Sequence, residues 1–511
     1  QIFFTHAHTH THTLTHCLGN ARASSTMVDQ QQIMFNTAVK VCVTLGPASS
    51  DVDIVKKHIQ EGASLFRMNF AHIDHKTFEN GVNVVREAAR QLHAEVGIIA
   101  EMKGPDFRTG PFPGGSHELT AGDEFEFFVN YVPGTKTGCS VSFWNLPKTV
   151  KPGDRIMVEY ARIGFVVKEV RKQSVLTVVE NNGTIGPNKV VTLPEHQIEL
   201  PFMSYQDTAD VHVSIRAKVD FLAASGVRDT SDIKAVRSLP GFAESSLKLL
   251  VCVENARCVE NLDEILHLSD GALVSRSNLM SNISMEAVPR VQKEVIALCN
   301  RLGKPVAIIH QVLTSMDTNP RPTRAEVTDC ANAILDGVDY IILTNPTSVG
   351  PWPVESVTML RNICSETEVL QDHRGLYSRS RKVDFGRTEL IHVAESVASS
   401  AVKTSWDIQA TAIVCFTESG TSAQYLSKYW PAPLVYCITP SHKVARQLQM
   451  ARSCVPLVAK RVKHEVALND TLSILKREGR VRAGDKVVVM MGETEHRTGA
   501  TNQFRIVEVP A

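Results

Sequence analysis

Two stretches of the chain end in side chains that could do chemistry. Leu249-Leu250-Val251-Cys252-Val253 is an apolar run, followed at once by Glu254 and Asn255. Gly271-Ala272-Leu273-Val274 leads into Ser275-Arg276-Ser277-Asn278. Runs of this length read as strands buried on both faces. When several such strands end in polar groups, they point to a site on the C-terminal face of a β/α barrel. Cys252 raises the question of a nucleophile. It lies within an apolar strand and has no His or Asn partner identifiable in sequence, so it reads as an inert buried thiol. A third stretch, Thr417-Glu418-Ser419-Gly420-Thr421-Ser422, follows a strand and opens a helix. Hydroxyls and backbone N–H groups there suit a phosphate. Such starts are commonly plain caps, however, and the Glu418 carboxylate opposes an anion.

The elements that must position these residues follow from the pattern of the whole chain. With 511 residues, two to four domains are expected. Lys+Arg and Asp+Glu both number 54, so the net charge is zero and no electrostatic case exists for nucleic acid or an anionic membrane. Apolar runs are shorter than a bilayer requires. The eleven cysteines form no CxxC pair, which predicts a reduced, cytoplasmic protein without a disulfide framework or zinc site. The opening Thr5-His6-Ala7-His8-Thr9-His10-Thr11-His12 is a His-rich tract that could bind metal. It reads better as untranslated leader, since alternating Thr-His is what an ACACAC tract would encode, with Met27 as the start, and it resembles no targeting peptide.

From residue 38 the pattern alternates strand and helix. Strands are predicted at 39–45, 64–69, 96–102, 219–225, 248–254, 271–276, 304–311 and 339–344, with amphipathic helices such as 78–92, 288–302 and 324–335 between them. Gly62, Gly303 and Gly337 fall at helix C-caps. Eight βα units predict a parallel (β/α)8 barrel. The third unit is interrupted: over 111–200 the helical period gives way to short alternating segments and turn signals such as Pro152-Gly153-Asp154. This insertion reads as an all-β lid over the barrel mouth. The predicted domains are therefore a tail (1–36), a barrel (37–110 and 201–365), the lid (111–200) and a C-terminal α/β domain (366–511). In the last, helix 388–406 leads to strands at 411–416, 434–439, 455–459, 486–491 and 504–509 in a largely parallel sheet.

Four motifs carry a resemblance to a known family. They are Thr44-Leu45-Gly46-Pro47-Ala48-Ser49, Arg67-Met68-Asn69-Phe70, Lys103-Gly104-Pro105-Asp106-Phe107-Arg108-Thr109-Gly110 and Asn319-Pro320-Arg321-Pro322-Thr323-Arg324-Ala325-Glu326. Together they resemble pyruvate kinase, nearly collinearly from about 39 to 509. The resemblance implies the glycolytic transfer of a phosphoryl group from phosphoenolpyruvate to ADP, giving pyruvate and ATP. It also implies Mg2+ and K+ as cofactors, a sugar-phosphate effector, a homotetramer and a cytoplasmic location. Carried over by position, Arg67 is the phosphate-binding arginine, and Asn69 with Glu101 falls at the monovalent-cation site. Glu254 and Asn278 fall at the divalent-metal site, and Arg276, Ser277 and Asn278 on the substrate side. His72, Arg108 and Lys189 fall on the nucleotide side. Thr417, Ser419, Gly420, Thr421 and Ser422 fall at the effector loop.

The same carry-over exposes departures. Cys252 stands where the family has the lysine closest to the moving phosphoryl, and Asn278 where it has a metal-binding aspartate. His310 replaces a substrate-orienting threonine, Ala71 a cation-ligating serine, Glu101 an aspartate and Met102 a threonine. Ser277 replaces a glycine, and Glu159-Tyr160-Ala161 replaces an Asp-Asp-Gly in the lid. A neutral thiol cannot replace a cation, and an amide weakens a hard Mg2+ site. The expectation is a catalytically degenerate member with both metal sites impaired. It would act by binding phosphoenolpyruvate, ADP or ATP, or as a regulatory or structural subunit, homomeric or paired with an active paralogue. The alternative is a slow active kinase relying on Arg67, Arg276 and a metal on Glu254. A different reaction using Cys252 or His310 finds no supporting constellation in the sequence.

Overall fold

A computed structural model describes residues 37–159, 162–194, 196, 200–385, 390–461, 463–493 and 497–511. The N-terminal tail and the Tyr160-Ala161 pair lie outside the described residues.

Eight strands close into a parallel barrel: β1 (Lys40–Thr44), β2 (Ala63–Asn69), β3 (Gly97–Glu101), β4 (Phe221–Ala224), β5 (Lys248–Val253), β6 (Gly271–Ser275), β7 (Val306–Ile309) and β8 (Tyr340–Leu343). Each is flanked by its neighbour in sequence, and β8 returns to pair with β1. Several observed strands are shorter than the apolar runs, because the outermost residues of each run sit in the turns at either end. Helix Val288–Leu302 matches the predicted span, and Arg324–Asp336 extends it by one residue. Gly303 and Gly337 close these two helices with positive φ, as the pattern requires.

Alternation along the strands decides which side chains reach the site. On β5, Leu249, Val251 and Val253 pack outward in the core shared with the helices, while Leu250 and Cys252 pack inside the barrel. Leu65 on β2, Ile99 on β3, Leu273 on β6 and Ile309 on β7 share that inner core. Counting on by twos from these residues leads to Arg67 and Asn69, Glu101, Glu254 and Ser275. Sequence parity thus brings five polar residues to one end of one barrel.

The segment between β3 and β4 forms a seven-stranded sheet and a separate two-stranded one. Their core is aromatic and β-branched, with Phe125, Phe127 and Phe165 in mutual contact. Phe107–Arg108 already belongs to this sheet, pairing antiparallel with Val190–Thr192. Helix Pro353–Glu368 packs on the barrel, and Glu368 accepts from the backbone N–H groups of Ala38 and Val39 at 2.9 and 2.8 Å. The C-terminal sheet has four parallel strands, with Thr501–Glu508 antiparallel at its edge. Its leading helix starts at Val393 among the described residues. This region docks on the barrel floor through Asp220, which is fully buried and accepts from Arg86 at 2.6 Å and Arg446 at 2.9 Å. Met450 enters the barrel's inner core from the same side.

Candidate functional site

The barrel mouth and the lid enclose a cleft of about 420 Å³. Its lining includes Asn69, His72, Glu101, Arg108, Glu254, Asn278 and His310, so seven of the residues singled out in the sequence converge there.

Arg67 and Glu101 stand on adjacent strands and form a bidentate pair. Arg67 Nε donates to Oε2 at 2.7 Å and Nη2 to Oε1 at 2.5 Å, while Nη1 reaches Thr44 Oγ1 at 3.2 Å. Both residues are buried. Burial alone would push the Glu101 carboxyl up, but the Arg67 charge and hydrogen bonds outweigh it and hold the group ionised, below its ordinary value. Asn69 Nδ2 adds a further bond to Oε1 at 2.9 Å, and Asn69 Oδ1 accepts from the Ala71 N–H at 2.8 Å. Every side-chain oxygen at the expected monovalent-cation position is therefore already accepting from the chain.

Glu254 lies one residue beyond β5. Its Oε1 accepts from the Gly226 N–H and its Oε2 from Asn278 Nδ2 at 2.5 Å. Burial raises its carboxyl to about 7 against the pull of these two hydrogen bonds. Asn278 sits on the short helix Arg276–Met280 and turns its amide N–H toward Glu254. An N–H pointed at the carboxylate fits a hydrogen bond and does not fit a shared Mg2+, which needs oxygen ligands in near-octahedral array. Among the described residues no group of three or more His, Cys, Asp and Glu side chains is placed to hold a metal ion. At both positions the side-chain oxygens of Glu254, Glu101 and Asn69 accept hydrogen bonds from the chain itself.

Cys252 is 2% exposed and accepts a weak bond from Ser225 Oγ at 3.7 Å. Burial, reinforced by the Glu101 and Glu254 charges, pushes its thiol well up, so it carries no charge at neutral pH. Arg276 spends its guanidinium on Asp329 at 2.7 Å and on the backbone carbonyls of His310 and Gln311. These bonds hold β7's exit in an unusual path, with His310, Gln311 and Leu313 all at positive φ. His310 Nδ1 lies 3.2 Å from Ser275 Oγ. Burial and the nearby Arg67 charge lower its imidazole to about 4, leaving it neutral. Ser277 is buried beside Arg276.

On the lid side, Arg108 pairs with Asp106 at 2.5 Å and donates to the Asn188 carbonyl at 3.0 Å, while Lys189 Nζ pairs with Glu159 at 2.5 Å. His72 is lowered by burial and by the Arg108 and Arg67 charges. Asp106, the partner of Arg108, was legible inside the 103–110 motif. Gly226 was less so: at φ 75° it lies so close to Pro105 that a Cβ would meet the ring at 2.1 Å.

A second cleft of about 200 Å³ opens at the start of helix Thr421–Lys428. Thr417 Oγ1 accepts from the Gly420 N–H at 2.9 Å, Ser419 and Thr421 hydroxyls lie 3.1 Å apart, and Ser422 pairs with Thr501 at 2.7 Å. Glu418 is held by Arg461 at 3.0 Å. Sequence reading missed Lys460, His464 and Arg497, which line this cleft from segments remote in the chain.

Residues 36–357 match the family model described as pyruvate kinase, barrel domain, and residues 395–507 that described as pyruvate kinase, alpha/beta domain. The chain is similar to the pyruvate kinases of Staphylococcus aureus strains MRSA252, USA300 and NCTC 8325. Each is 35% identical over 472 residues, covering 91% of this chain and 80% of the relative.

Proposed function

Because the chain belongs to the pyruvate kinase family, we propose that it is a member in which the family's phosphoryl transfer from phosphoenolpyruvate to ADP has fallen away and binding remains. It then serves as a regulatory or structural subunit, as a homotetramer or beside an active paralogue. One observation carries this reading: the three arginines that the resemblance places around the substrate and nucleotide are each committed to a partner within the chain. Arg67 is held by Glu101, Arg276 by Asp329 and two carbonyls, and Arg108 by Asp106.

Phosphoryl transfer depends almost wholly on positioning and on cations that neutralise developing charge. Where the resemblance calls for a lysine, the barrel offers the uncharged Cys252 thiol. Losing one preorganised stabilising group costs roughly 10²–10³ in rate, and several such losses do not simply multiply. Even one or two leave little turnover. The barrel cleft keeps the dimensions of a ligand site, and the smaller C-terminal pocket offers hydroxyls with Lys460 and Arg497 in its lining. They support binding of a nucleotide in the first and an anionic sugar phosphate in the second.

The test is pyruvate formation from phosphoenolpyruvate and ADP by the full chain, with K+ and Mg2+ or Mn2+, beside the double variant Cys252→Lys/Asn278→Asp. The expected result is a silent parent with partial activity in the variant. Turnover of the parent at ordinary kinase rates would sink this reading and establish a kinase with an altered site.

A further inference from the structure

We infer that the chain's own N–H donors stand where cations would sit at the barrel mouth, so that the cleft accepts its ligand with neither a divalent nor a monovalent metal ion. The inference deepens the binding reading and rests on it only in treating the cleft as a ligand site.

Glu254, Glu101 and Asn69 bring five side-chain oxygens with the chemistry to coordinate a metal, and all five are engaged. Asn278 adds an amide oxygen and Asp106 a carboxylate, whose Oδ2 is taken by Arg108 while Oδ1 accepts no hydrogen bond. Glu254 takes the Gly226 N–H on one oxygen and the Asn278 amide on the other. Glu101 takes two guanidinium N–H groups and the Asn69 amide. Asn69 turns its own oxygen to the Ala71 N–H.

The donors are held in place by further contacts. Asn282 Nδ2 bonds the Asn278 and Glu254 carbonyls at 2.8 and 3.1 Å, fixing both backbones against each other. Arg67 is buried and braced by Thr44. A divalent ion would have to displace the Gly226 and Asn278 hydrogen bonds on Glu254 and meet N–H groups where it needs oxygens. A monovalent ion near Glu101 would meet a guanidinium already neutralising the same carboxylate at contact distance. In both places a chain N–H does the electrostatic work of the ion.

The probe is the metal alone. Mn2+ is titrated into the full chain by calorimetry, and into Asn278→Asp, which restores a second carboxylate beside Glu254. Thermal unfolding is compared in KCl and in tetramethylammonium chloride at equal ionic strength. The parent is expected to give no saturable one-to-one binding and the same unfolding midpoint in both salts. Asn278→Asp is expected to gain a one-to-one site at least about tenfold tighter than any residual binding by the parent. A parent that binds Mn2+ as tightly as the variant, or that is stabilised by K+ over the organic cation, would overturn the inference. So would a folded variant that gains nothing, because Asn278 would then not be the closing group. If circular dichroism shows that Asn278→Asp does not fold, Asn278→Ser takes its place, since it withdraws the amide donor and offers a hydroxyl. Metal binding without turnover would defeat this inference and leave the proposed function standing. Turnover without a metal requirement would do the reverse.

Discussion

A guanidinium buried without a counter-charge costs several kcal/mol, and Arg67, 3% exposed, avoids that cost only through the two oxygens of Glu101. The dependence is mutual, because Glu101 is buried as well. Glu101→Gln is therefore expected to destabilise the protein by about 3–5 kcal/mol, the usual range for breaking a buried pair from one side. The double variant Arg67→Met/Glu101→Leu removes both charges and should recover most of that loss. Urea unfolding midpoints of the parent, the single and the double variant check this. A single variant as stable as the parent would mean that the pair is not what holds the mouth together.

Helices and strands carry their own expectations. The helix Val52–Gln60 turns His58 into the core, where it is fully buried and neither ring nitrogen has a hydrogen-bond partner. Burial lowers its imidazole from 6.5 to about 4. The folded value lies below the unfolded one, so between these pH values the unfolded chain binds more protons. Stability from this group is complete above about pH 6.5 and falls as the pH drops toward 4, by a total of about 3 kcal/mol. His58→Leu should remove that acid loss, flattening the dependence of the unfolding midpoint between pH 7 and pH 4.5. An unchanged acid limb would assign the loss to other groups. At this scale the sequence was informative where the pattern is local. The apolar run through Cys252 gave β5, and its end at Glu254 gave the mouth. The partner of Arg67 was not legible: Glu101 lies 34 residues away, and cross-strand register alone brings them together. Nor was the left-handed exit of β7, where no glycine announces positive φ and the Arg276 bonds to two carbonyls impose it. Asn278 was readable as a weakened ligand but not as a donor, since composition does not say which way an amide faces.

Across the whole molecule, Asp220 is the junction of the barrel and the C-terminal region. It binds Arg86 and the Ile98 N–H within the barrel and Arg446 from the other side, 226 residues on. Asp220→Ala strands two arginines at this contact and is expected to cost about 3–5 kcal/mol. Scanning calorimetry should show the C-terminal region melting apart from the barrel, whereas a single transition shifted as one unit would mean that the remaining contacts suffice to couple them. The same junction has a consequence for how the protein is made. Met450 belongs to the barrel's inner core beside Leu65 and Phe221, yet β8 ends at Leu343. On the ribosome all eight strands are synthesised before the residue that seals their floor. At ordinary elongation rates the gap lasts roughly 5–20 s. Through that interval the nascent barrel presents an open apolar base.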